Sequence, residues 1–223
     1  MSTTRLLALI ALIALLVLSG GCASTHEGAI DQGLFPREAV APERRIAGRM
    51  ALLVPPQVRA TSYDALREIR VNVRLPIGRI VEQAALAALG DAVSGGVQPV
   101  GAPPQSGDGI NATLVIDAVR AEYHRSLSLL IPAPPPLFFI EDYTVDTRLA
   151  FDLRLVDAQG RTVWTRTYDT GAEIVKRESI WRAAATPEGL VRIAHDAAWR
   201  LSQQAVADLR GWLAAERNRL REL

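Results

Sequence analysis

One cysteine and one lysine, Cys22 and Lys176, are all that 223 residues contain of either type. A lone cysteine closes no internal disulfide, and it leaves no cysteine pair from which a zinc site is built. Stability must therefore come from apolar burial, and a chain of this length is ample for one such core. With lysine nearly gone, the cationic chemistry is guanidinium chemistry. Histidine is as sparse, since His26, His124 and His195 fall in separate stretches. Glu122 and His124 share a strand face, but nothing nominates a third metal ligand. His195 and Asp196 are helix neighbours that point to different sides, so they form no orienting pair. No G-x-S-x-G, H-E-x-x-H, P-loop or G-x-G-x-x-G is present. No catalytic residue, metal or cofactor is assigned on this reading, and an enzyme is not expected. Charge of one sign is lacking too. Without residues 1–21, which hold Arg5, 24 Lys+Arg stand against 24 Asp+Glu. Such a balance draws neither nucleic acid nor anionic lipid through net electrostatics.

The N-terminus is more informative. Arg5 supplies a positive start, Leu6–Leu18 is an apolar run of 13 residues, and Ser19-Gly20-Gly21 places small residues before Cys22. Thirteen helical residues reach about 20 Å, short of the roughly 30 Å hydrocarbon core of a bilayer. Residues 1–21 therefore read as a signal peptide rather than a spanning helix. Small residues ending on a cysteine resemble the lipobox of bacterial lipoproteins, in which the thiol receives a diacylglyceryl group and becomes the first mature residue. Ser19 stands where that pattern usually has leucine, and Leu18 lies one place earlier. The resemblance implies lipidation of Cys22 with acyl chains of the palmitate kind. Ordinary secretory cleavage, for instance after Ala23, would instead discard the cysteine. Ala23 is not the aspartate that in enteric lipoproteins favours the inner membrane, which implies the periplasmic face of the outer membrane.

Residues 22–45 mix Gly, Pro, Ala and charge without a period, and are expected to be the lipidated cysteine and a flexible tether. A coil of this length has an r.m.s. span of about 25 Å. A single domain over residues 46–223 is expected to follow. Met50–Val54 is a buried-type strand stopped by Pro55-Pro56. Ile69, Val71, Val73 and Leu75 alternate with Arg70, Asn72 and Arg74 as a half-buried strand. Pro76 begins a helix whose apolar face runs from Ile80 to Leu89 and ends at Gly90. A short strand over 95–100 precedes a loop of breaker composition at 101–109. Ala112–Tyr123 is a central strand, with Val115, Val119 and Tyr123 on one face and Leu114, Ile116 and Ala118 on the other. Val145–Leu155 alternates cleanly, its Asp146, Arg148, Asp152 and Arg154 forming a solvent face with cross-strand pairing. Asp157-Ala158-Gln159-Gly160 turns the chain into Thr162–Asp169. Thr186, Pro187 and Glu188 start a C-terminal helix spanning about 186–215, with a stripe from Leu190 through Leu209, a kink or end at Gly211, and the charged stretch Glu216–Glu222 as a solvated helix end. The fold class is α+β: a mixed, mostly antiparallel sheet with two helices on one face.

The remaining feature is an arm over residues 125–142. Between Arg125 and Glu141 lie 15 residues without a charge, SLSLLIPAPPPLFFI. They join two strands that are already full length, so the hairpin must bend or project beyond the body as a protruding, apolar, Pro-rich tip. Leu127, Leu129, Leu130, Ile131, Leu137, Phe138 and Phe139 are the candidate contact residues, meeting a protein partner or a lipid leaflet. The plainer arrangement has the arm folded back over its own sheet or first helix.

Taken together, a lipobox-like cysteine, the run from Val73-Arg74-Leu75 to Leu89, the strand Ala112–Ile116 and the helix from Ala194 through Leu209 resemble the YajG-like lipoproteins over about residues 46–215. A similar plan recurs in auxiliary lipoproteins of ABC-type lipid transporters and in the small lipopolysaccharide-assembly lipoprotein. The resemblance implies a non-enzymatic accessory or assembly role at the envelope, with a membrane anchor and an envelope protein as partner. A periplasmic carrier of a small apolar ligand and a periplasmic hydrolase are the competing classes.

Overall fold

Strands whose alternate residues are apolar need one covered face, and two helices with alanine-rich stripes supply the cover. The computed structural model describes residues 24–30, 33, 35–36, 40–67, 71–104, 108–129, 141–171, 173–179 and 187–221. The chain runs through β1 (Ser24–Glu27), β2 (Met50–Leu53), a single helical turn α1 (Pro56–Arg59), β3 (Tyr63–Arg67), β4 (Val71–Leu75) and α2 (Ile77–Ala92). It continues as β5 (Val97–Val100), β6 (Ala112–Leu129), β7 (Glu141–Asp157), β8 (Thr162–Asp169), β9 (Glu173–Ser179) and α3 (Pro187–Arg221). A six-stranded sheet has the order β5-β2-β6-β7-β8, with β9 following β8 along the same strand, β7. β2 is parallel to β5 and β6, whereas β6–β7, β7–β8 and β7–β9 are antiparallel. The class is α+β, as the alternating patterns predict.

Leu114, Ile116, Leu149, Phe151, Leu153 and Leu155 meet Ile80, Ala84, Ala88, Ala194, Ala198, Leu201 and Leu209 in one core. The alanines let α2 and α3 approach closely, and each fully buried Leu or Phe contributes roughly 1.5–3 kcal/mol. The fit is tight: a space of about 10 Å³ is left beneath Trp164, Ser202 and Val206. β2 is buried on both faces, since Met50 and Leu52 enter this core while Ala51 and Leu53 are buried outside it. Arg59, at the end of α1, donates to the buried Glu82 of α2 at 2.5 Å, tying the two helices together.

Four expectations change. The register of β6 against β7 shifts between Ile116 and Ala118, leaving Asp117 as a bulge. The extra residue inverts parity, so Val119 joins Leu114 and Ile116 in the core and Val115 does not share its face. The strand expected from Ile69 is described from Val71, Ile69 and Arg70 lying outside the described residues, and it has an antiparallel partner that the alternation did not show, β3. α3 passes Gly211 without ending and continues to Arg221; a helix tolerates glycine at a cost near 1 kcal/mol.

The fourth change concerns the supposed tether. Ser24–Glu27 pairs parallel with Val71–Arg74, and the Gly28 N–H donates to the Arg74 carbonyl at 2.9 Å. Phe35 is buried, and Ile46 is buried in a parallel bridge to Val93. In its described residues this segment is a strap on the domain. The strap holds because single apolar side chains are buried on the domain, Phe35 against His195 and Trp199 and Ile46 beside Val93, which needs no periodicity.

Candidate functional site

Both strands of the hairpin are far longer than the usual five or six residues. β6 and β7 stay in register from Ala118↔Asp152 to Leu129↔Glu141. Ala121↔Leu149 is a pair with core or core-packed side chains, and Thr147, opposite Tyr123, is buried as well. Eight more residues, Glu122–Leu129, carry the ladder onward, about 26 Å at 3.3 Å each. β9 widens this extension to three strands, pairing with β7 from Thr147↔Glu173 to Asp142↔Ser179. Of the predicted contact residues, Leu127 and Leu129 lie on β6 opposite Tyr143 and Glu141. Counting by twos from Val119 and Ala121 reaches them both. Leu130, Ile131, Leu137, Phe138 and Phe139 lie outside the described residues, as does Cys22.

The sheet face away from the helices carries ion pairs. Arg120 grips Asp152 through two nitrogens, each at 2.9 Å, and Thr167 donates to the same carboxylate at 2.7 Å. Arg154 forks onto Asp117 at 2.9 and 2.8 Å, and Arg148 onto Asp169 with a shortest contact of 2.7 Å. Hydrogen bonds from Arg120 and then Thr167 hold Asp152 below the usual carboxylate range, against a small desolvation cost. Those from Arg148 and the Gly171 amide do the same for Asp169. The side chains anticipated as a solvent face with cross-strand pairing behave so. Carboxylates held as acceptors by forked guanidiniums are poor general bases. Beside them, loop residues Pro103, Pro104 and Ile110 border an open cleft of about 420 Å³ over Leu53, Thr113 and Val156. Its one charged guanidinium, Arg154, is already spent on Asp117.

Two further polar groups sit at the helix layer. The buried Tyr168 hydroxyl donates to Asp208 at 3.1 Å, and burial followed by that carboxylate raises the phenol pKa. His195 is fully buried on α3, and its Nδ1 donates to the Val191 carbonyl at 2.7 Å. Among the described residues its Nε2 has no hydrogen-bond partner. The ring stacks on Phe35 of the strap at 5.2 Å, and Phe35 also meets Trp199 at 5.9 Å. The sequence allowed a core role for His195 but offered no sign of Phe35 as its cover. Lone apolar residues amid Gly, Pro and charge carry no periodic signal. Among the described residues, no group of three His, Cys, Asp or Glu side chains is placed to hold a metal, and no helix is long and apolar enough to cross a membrane.

No protein-family model matches the chain, and no curated protein matches it in sequence. Among solved structures it is similar to a homologue of neuraminyllactose-binding hemagglutinin from Helicobacter pylori. That similarity has 11% identity over 78% of this chain and 92% of the other, at TM-score 0.44. A minor lipoprotein from Acinetobacter baumannii shares 16% identity over 72% and 94% of the two chains, at TM-score 0.33. An uncharacterized lipoprotein B from Nitrosomonas europaea shares 13% over 75% and 86%, at TM-score 0.39. The last two are bacterial lipoproteins. Their resemblance to this chain assigns no residue a role.

Proposed function

We propose that this chain is a lipid-anchored envelope lipoprotein that acts by contact rather than catalysis. Cys22 carries the lipid, the periplasmic face of the outer membrane is its place, and its work is accessory to an envelope assembly, such as one moving lipid or polymer. The observation that carries this reading is the β6–β7 ladder, which stays paired as far as Leu129↔Glu141 and so runs into a 15-residue uncharged segment. Strands of 18 and 17 residues are far longer than one sheet layer needs, and such a hairpin is well suited to present a contact. The resemblance to the YajG-like lipoproteins belongs with this reading.

Mass spectrometry of the N-terminus of the protein purified from membranes tests it. The expected product begins at Cys22 and bears acyl chains; an unmodified chain, or one beginning downstream of Cys22, overturns the anchor. Affinity isolation from envelope extract tests the accessory role. A stable protein partner is expected, and recovery of bound lipid alone would replace that role with ligand carriage.

A further inference from the structure

The strap is fixed to the domain at its start, middle and end. Ser24–Glu27 runs parallel to Val71–Arg74, and the Gly28 amide carries that ladder one residue further, onto the Arg74 carbonyl at 2.9 Å. Phe35 is buried against His195 and Trp199. Ile46 donates its N–H to the Ala92 carbonyl at 2.7 Å and accepts from the Ser94 amide at 2.9 Å. As a free coil, residues 22–45 would let the domain stand off from its anchor by about 25 Å. Seated in these places, the strap gives up that reach.

The first seat lies almost on the cysteine. Only Ala23 separates Cys22 from Ser24, and two residues of chain reach no more than about 7 Å whatever their conformation. Cys22 is therefore confined to one end of the three-stranded sheet β1-β4-β3. At that end Ser24 of β1 pairs with Val71 of β4, and Arg67 of β3 lies opposite Asn72.

We infer that the seated strap holds the domain directly on the phospholipid surface, with the Ser24–Val71 end of the small sheet at the headgroups. This rests on the lipoprotein reading above. A lipid on Cys22 enters the bilayer within that short reach of Ser24, so covalent geometry decides what this end of the sheet meets. The balanced charge of the chain supplies no attraction to anionic lipid, and the short leash replaces it. A domain held so close meets the surface at a far higher effective concentration than one on a long coil. Its accessory work is accordingly done at the membrane surface, and a partner has to come there to meet it.

The test uses the lipidated full chain, purified from membranes with its Cys22 lipid verified by mass, in vesicles of phosphatidylethanolamine and phosphatidylglycerol. The lipid blocks the native thiol, so a fluorophore goes to one added cysteine, Arg74→Cys. Arg74 is exposed and pairs with Glu27 of the strap. Through the seated strap it stands no more than about 22 Å from Cys22, the length of the extended chain to Glu27 plus one strand spacing. A second chain carries about 20 Gly/Ser residues inserted between Ala23 and Ser24, which leaves every seat in place and adds a span of about 25 Å. Energy transfer from the Arg74→Cys label to acceptors on the lipid headgroups is expected to be severalfold stronger without the insert than with it. Equal transfer in the two chains, whether strong or weak, overturns the inference and leaves the lipoprotein reading standing. An unmodified Cys22 overturns that reading instead.

Discussion

At Gly78 a methyl group has nowhere to go. A Cβ there would sit 2.0 Å from the Val58 carbonyl oxygen and 2.8 Å from that of Arg59, both backbone atoms. Gly78→Ala must move α1 away from α2 and is expected to cost 1 to 3 kcal/mol, as overpacked sites do (an order of magnitude of about 2). Gly90, with nothing within 4 Å of its would-be Cβ, is the control. Gly90→Ala should leave stability equal or raise it by up to about 1 kcal/mol through helix propensity. Urea unfolding of the two variants checks both. Charge at single residues has a pH signature as well. Asp152 and Asp169 are held low when folded, so the unfolded chain takes up protons first as pH falls. Their stabilisation is complete above a pH of about 4 and is lost as pH drops through the folded values. The Arg120–Asp152 pair is solvent-screened and is worth less than about 1 kcal/mol. Asp152→Asn should therefore lower the urea midpoint slightly at pH 7 and narrow the gap between pH 7 and pH 3.

Among the elements, the strap invites the sharpest experiment. Phe35 is 5% exposed and covers His195, so Phe35→Ala removes a buried ring and should cost about 3 kcal/mol. The same change should expose the Gly28 amide, hydrogen-bonded to Arg74, to fast hydrogen exchange. An unchanged exchange rate with unchanged stability would return residues 24–45 to the role of tether. β6 carries a second lesson. An alternating pattern reads correctly until a bulge adds one residue, and Asp117 is that residue. Its carboxylate, facing away from the helices, accepts from Arg154 at 2.8 Å, so the position that breaks the period is also one whose polarity suits the outer face.

For the whole molecule, the decisive substitution is the pair Phe138→Ser with Phe139→Ser. If the hairpin is a contact site, the purified chain keeps its melting temperature while association with vesicles or with an envelope partner falls. Packed into the domain's own core, the same pair would take several kcal/mol from stability. Differential scanning calorimetry beside vesicle flotation separates the two.

By itself the sequence determined the α+β class, most strand and helix positions, the turn at Asp157–Gly160 and the solvent face of β7. Each depends on a local rule: a period of two or 3.6 residues, a proline stop, an aspartate whose carboxylate accepts from the Gln159 and Arg161 amides. It also marked Cys22 and the uncharged arm by composition. Tertiary structure alone decided that Ser24–Glu27 joins Val71–Arg74, and that Phe35 closes over His195. Those pairings join residues tens of positions apart. Their stability comes from contacts with the last helix and with β4, and no local pattern encodes which distant surface will be there to meet a single phenylalanine or a four-residue strand.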